Sequence, residues 1–172
     1  MATTETHPEL GESRLPPNPL LSEVLSKVSK QKTKAKKIQV LKENESMHMK
    51  AVLIWNFDDS AQSVLPEGDV PFEKNAAPAG TEHTYLAHEW KILYNFVKGG
   101  NDTLRPVKRE QLFMQLLEGL HPDEAEIICL VKDKNLKKKY KGLTKPIVEE
   151  AFPDIEWGNR GAWYDWNKNK NN

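Results

Sequence analysis

The chain has 172 residues and a formal net charge of zero, with 25 Lys and Arg against 25 Asp and Glu. That length suits one domain with a sizeable core, and a balanced total argues by itself for no charged partner. A single cysteine, Cys129, excludes an internal disulfide and fits a reducing compartment. The longest strongly apolar run, Ala51 to Trp55, is too short to cross a bilayer, so no membrane partner is expected. Residues 1–13 lack the basic start and apolar centre of a secretory signal.

The distribution of charge says more than its sum. Residues 27–50 hold eight Lys against two Glu, and residues 132–145 hold seven Lys against one Asp, so each segment carries +6. Residues 51–90 hold one Lys against seven acids. Two basic blocks therefore flank an acidic middle.

Residues 1–18 are polar and proline-rich and are expected to be disordered. Asn18-Pro19 opens a first helix with the stripe Leu21, Val24, Leu25 and Val28. Ala35, Ile38 and Leu41 mark a second, with Lys34, Lys36, Lys37 and Lys42 around it and Asn44 as its C-cap. Ser46 is an N-cap for a third helix through Phe57, whose apolar residues cover more than half its circumference. Residues 58–80 are a long Pro- and Gly-containing connection, pinned by Val64, Leu65, Val70 and Phe72 with a mobile tip near Asn75. A fourth helix is expected from Thr84 to Lys98, with Leu86, Trp90, Leu93 and Val97 inward, ended by Gly99-Gly100.

Leu112 to Phe152 organises the rest. Leu112, Phe113, Leu116, Leu117 and Leu120 form one apolar face in a helix opened by Pro106. His121-Pro122 starts the next helix, with acids in its first turn and Ala125, Ile128 and Val131 inward. A basic connection follows, and Thr144 caps a last helix carrying Ile147, Val148, Ala151 and Phe152. After residue 156 the tail is aromatic, Asn- and Lys-rich and without period. The expected fold is all-α: a single non-bundle domain over residues 19–156, of about seven helices, between a disordered segment 1–18 and a flexible tail 157–172.

The histidines show no i, i+4 pair and no Cys-x-x-Cys occurs, so no metal or other cofactor is expected. His121 reads as an N-cap, and His83 and His88 as surface groups. Asp58-Asp59 and Glu67 with Asp69 lie in or beside a Pro/Gly loop and read as turn chemistry. Gly99-Gly100 ends a helix instead of opening one, unlike a phosphate cradle. No convergent catalytic set remains, and no enzyme is expected. The lysine blocks suit phosphates, with candidate contacts at Lys32, Lys34, Lys36, Lys37, Lys132, Lys134, Lys137, Lys138, Lys139, Lys141, Thr144 and Lys145. The competing reading is a solvated surface. With only four arginines the chain is poorly equipped to read bases.

Lys50-Ala51-Val52-Leu53-Ile54-Trp55-Asn56-Phe57, Leu65-Pro66-Glu67-Gly68-Asp69-Val70-Pro71, Leu116-Leu117-Glu118-Gly119-Leu120-His121 and Glu124-Ala125-Glu126 resemble a small protein of uncharacterised function from T-even-like tailed phages, including those of cyanobacteria. The likeness spans most of residues 20–156 and implies action in the host cell cytoplasm. The order of elements is more faintly similar to the helical N-terminal DNA-binding domain of T-even-type ATP-dependent DNA ligases. Its closing pattern would fall on Glu126 to Lys132, then Asp133, Leu136 and Gly142, then Thr144 to Pro153. That domain grips duplex DNA by its backbone. The nucleophile motif Lys-x-Asp-Gly is absent here, since no Asp-Gly pair occurs, and the chain ends where an adenylation domain would begin. The resemblance therefore implies binding of duplex DNA without catalysis, by an accessory protein. The alternative is an adaptor or inhibitor acting on a host or phage protein through the acidic 58–80 loop and the aromatic tail.

Overall fold

A computed structural model describes residues 14–75, 77 and 83–158. The expectations for residues 1–13 and 159–172, and for the loop tip at 76 and 78–82, lie outside the described residues. Among those described, seven α-helices and two 3-10 helices form an all-α domain around one apolar core. The helices are α1 (Leu21–Lys30), α2 (Lys34–Glu43), α3 (Met47–Phe57), α4 (Leu86–Glu89), α5 (Pro106–Gly119), α6 (Pro122–Lys132) and α7 (Lys145–Ala151). The 3-10 helices are Trp90–Phe96 and Leu136–Lys138. Helix α2 packs on α1 and α7, α3 on α4 and α6, and α6 also meets α1 and α5.

Most stripes read from the sequence point inward; in α2 the expected stripe is misplaced, since Leu41 is buried but Ala35 is exposed and Ile38 half-buried, and Val40 is buried instead. In α1, Leu21, Val24, Leu25 and Val28 are all buried; in α3 every residue from Met49 to Asn56 is. Ser46 Oγ accepts the Met49 N–H and His121 Nδ1 accepts the Asp123 N–H, so both caps form as expected. Thr144 stands at the N-cap of α7, but its hydroxyl makes no capping bond.

The expected helix 84–98 is different. Thr84 lies in a bridge with Leu120, α4 lasts one turn, and residues 90–96 tighten into a 3-10 helix. A three-residue repeat aligns Trp90, Leu93 and Phe96, which brings Phe96 fully inside beside Phe113. Val97 is then extended and bridges Ser63, tying the long connection down where no strand was expected. Gly100 has no room for a side chain, because a Cβ there would overlap the Tyr94 carbonyl. His83, read as a surface group, is buried, with its ring centroid 5.1 Å from that of His121.

Charged side chains serve the backbone groups that these irregular connections leave over. Glu124 of α6 is buried, and its carboxylate accepts the N–H of Leu21 at 2.9 Å and of Leu86 at 3.1 Å, the first residues of α1 and α4. Burial raises its pKa above the usual carboxylate range against these two bonds. Arg109 donates to the carbonyls of Asn95, Asn101 and Leu104.

Two further ions are lysines that the sequence offered as phosphate contacts. The Lys132 ammonium donates to Pro66 O at 2.7 Å and Gly68 O at 3.1 Å and pairs with Asp133 at 2.7 Å; its side chain is 1% exposed. The Lys134 ammonium donates to Trp55 O, Asp58 O and Ala61 O at 2.6, 2.8 and 2.7 Å. Burial lowers its pKa, against the pull of Asp59 and Asp58. Neither group can leave for a phosphate without stranding carbonyls, so both drop out of the candidate set. Lys134 also has a φ of +57°, and its N–H and that of Asn135 bond to Val131 O and Leu130 O. This is a Schellman stop for α6, with lysine in the place glycine usually takes.

Three outcomes follow for stability in denaturant titrations. Leu53→Ala and Leu117→Ala should each cost about 2–5 kcal/mol, since both side chains are fully buried. Lys134→Met should cost about 2–4 kcal/mol, because the Trp55 and Ala61 carbonyls lose the ammonium and Asp58 O keeps only the Ala61 N–H, while Lys134→Gly should be about 1 kcal/mol more stable than Lys134→Ala, because only glycine takes the positive φ freely. Equal stability of the Gly and Ala variants would refute the strained stop.

The third outcome concerns acid. His48 is held at a pKa of about 4, below its ordinary 6.5, first by burial and then by His88. The unfolded chain therefore binds more protons there between pH 6.5 and 4, and stability falls as pH drops through that window, by up to about 3 kcal/mol. Glu124, whose pKa is raised, acts in the opposite sense above its unfolded value. His48→Gln should remove the His48 share of the acid loss, and an unchanged pH profile in that variant would exclude it.

Candidate nucleic-acid interface

Fold and sequence together bring parts of the two basic blocks to one corner. Helix α1 runs out at Lys30, the turn carries Lys32, and Thr33 caps α2, its hydroxyl accepting the Lys36 N–H. Against this corner lies the connection that precedes α7. Ser29 Oγ donates to the Lys141 carbonyl at 2.7 Å across 112 residues of chain. The Lys37 ammonium caps the end of α1, donating to Val28 O at 3.3 Å and Ser29 O at 3.1 Å. It also fills the space beside Gly142, where a Cβ would sit 2.9 Å from it. Gly142 has a φ of +83°, so glycine is favoured there both by the turn and by the packed ammonium.

The other candidates divide. Lys32, Lys36, Lys137, Lys138 and Lys141 are exposed and have no ion pair among the described residues. Lys30 shares that state and stands next to Ser29, although it was not among the residues singled out from the sequence; its place as the last residue of an amphipathic helix was the available signal. Lys34 pairs with Glu150 at 2.7 Å and Lys139 with Glu126 at 2.9 Å, both exposed pairs of small energetic weight. Lys145 lies 5.1 Å from the centre of the Trp157 ring. Lys138 lines a cleft shared with Glu67, Asp69, Glu126 and Asp133, so its neighbours are acidic. Thr144 is exposed, and its hydroxyl has no capping task.

Tyr140, in the middle of the second block, is buried rather than presented, and burial raises its pKa. Cys129 is half-buried and its thiol is pushed up to about 11, chiefly by burial. No group of three or more His, Cys, Asp or Glu that could hold a metal ion occurs among the described residues. Among the same residues, no helix is long and apolar enough to cross a membrane.

No curated protein and no solved structure matches the chain. Residues 24–138, from within α1 through the second 3-10 helix, match the model of a family of unknown function, DUF6433, and the chain belongs to that family.

Proposed function

We propose that the chain binds the backbone of duplex DNA without catalysing a reaction on it, as an accessory protein of a tailed phage acting in the host cell cytoplasm. The observation that carries this reading is the Ser29–Lys141 bond, which joins the two basic segments at one corner. Lys30, Lys32, Lys36 and Lys141 are the contacts, and Lys37 stiffens the corner from behind by holding the end of α1. Lysine ammonium groups meet phosphates as point charges, which gives affinity without base selection. The likeness in element order to the DNA-gripping domain of phage ligases supports the same class of ligand. The binding face is smaller than the lysine count suggests, because Lys132 and Lys134 serve the fold.

Fluorescence anisotropy with a labelled 20-base-pair duplex, titrated between about 50 and 200 mM salt, tests it. Replacing Lys30, Lys32, Lys36 and Lys141 together with Gln should weaken binding alike on unrelated sequences and flatten the logarithmic salt slope by about two to four units, near 0.9 per lost contact. Replacing Lys137 and Lys138 instead should change the slope by less than about one unit. A wild-type protein that binds no duplex at about 50 mM salt, or a slope indifferent to the first set, would overturn the reading.

A further inference from the structure

The connection after α3 is held down by Lys134, then by Lys132, and then passes over α5. Between the connection and that helix lies a cleft of about 270 Å³. Leu65 and Val70 on one side face Phe113 and Met114 on the other, so its walls are apolar. Glu67 and Asp69 of the connection and Glu110 of α5 complete the lining. Glu110, Phe113 and Met114 fall at i, i+3 and i+4, so one face of α5 offers both a carboxylate and the apolar wall.

The three carboxylates are exposed, and none has an ion pair among the described residues. The cation in the lining is Lys132, whose ammonium is held by two carbonyls and Asp133. The cleft thus combines an apolar interior with three exposed carboxylates at its mouth, and Lys74 and Lys138 stand across a neighbouring cleft from two of them, Glu67 and Asp69, without forming an ion pair to either. A phosphate backbone would be repelled here, and a purely apolar side chain would leave the charges unanswered.

We infer that this cleft is a docking site for an arginine side chain presented by a partner protein. The complementarity has two parts. An arginine lays an aliphatic stem along apolar walls while its guanidinium stays at the polar edge. The guanidinium forks to carboxylates, and more than one carboxylate is within the lining to receive it. A volume of about 270 Å³ admits one side chain and no helix, so a single extended residue is the unit recognised. Methionine at the wall suits an adaptable contact.

The test uses the full chain with ¹³C-methyl methionine, the Met114 signal being identified by its loss in Met114→Leu. Acetyl-Leu-Arg-Leu-amide should shift that signal saturably. Its citrulline counterpart, neutral and of the same shape, should bind at least tenfold more weakly. The combined variant Glu67→Gln, Asp69→Asn, Glu110→Gln changes exposed residues only, and it should lose at least tenfold in affinity for the arginine peptide and little for the citrulline one. No saturable shift, equal response to the two peptides, or indifference to the triple variant would each overturn the inference. A Met114 signal that moves on dilution of the protein alone would also overturn it, because a second copy, not a separate partner, would then occupy the cleft.

Discussion

An ammonium group has three protons, and Lys134 places one on each of three main-chain carbonyls. Trp55 is in the last turn of α3, Asp58 caps it and Ala61 lies just beyond, so the three oxygens belong to a helix end and the bend that leaves it. A single backbone N–H could serve one of them. The cation serves all three and also meets the negative end of the helix dipole. Its neighbours extend the joint. Lys132 holds the carbonyls of Pro66 and Gly68, Asp133 accepts the Gly68 N–H, and Asn56 Oδ1 accepts the Leu136 N–H. Ser63 accepts from the Trp55 indole and donates to Lys132 O. Four of the five residues from Lys132 to Leu136, all but Asn135, thereby fix α3 and the first half of the long connection at once.

The other end of α6 solves the complementary problem. The first N–H groups of a helix need an acceptor, and Glu124 supplies one carboxylate oxygen to α1 and the other to α4. Helix α6 therefore carries an anion at its start for two helix beginnings and cations at its finish for a helix end. That arrangement lets helices meet end to side in the interior, which a bundle of parallel helices with solvated ends does not require. It has a cost, since each buried ion gives up hydration; the lowered pKa of Lys134 and the raised pKa of Glu124 are that cost made visible.

The helices were legible because their signal is local. A stripe such as Leu21, Val24, Leu25 and Val28, or a cap such as Ser46 before Met49, is encoded within a few residues and does not depend on the rest of the chain. The roles of Lys132 and Lys134 were not legible. Their partners are main-chain oxygens 64 to 79 residues away, and a carbonyl has no sequence signature. A lysine that binds backbone looks the same in a sequence as one that meets solvent. Residues 90–96 misled for another reason: Leu86 and Leu93 are inward in either kind of helix, and Val97 is inward on extended backbone, so their spacing did not separate α from 3-10, and Phe96 was missed. Part of the candidate corner was legible as two charge blocks. Their meeting depends on α2 packing between α1 and α7, and that is a tertiary fact.

A lysine-rich segment is therefore poor evidence of a cationic surface until its partners are known. In the second block, Lys132 and Lys134 are internal, Lys139 is paired, Lys138 faces acids and Lys145 lies over the Trp157 ring; of the remaining two, Lys137 and Lys141, it is Lys141 whose backbone is joined to the first block. The acids that balance the total are not spread evenly either. Glu67, Asp69 and Glu110 gather where the connection crosses α5, and α6 is in contact with both that helix and α1, whose end forms the basic corner. A molecule with no net charge can thus present two surfaces of opposite sign built on one central helix. On the proposed reading, opposite fields of this kind would favour approach to a polyanion through the corner over approach through the acidic cleft. If both proposals hold, the two surfaces take ligands of opposite charge, phosphate at the corner and a cationic side chain at the cleft, so neither ligand competes for the other's site.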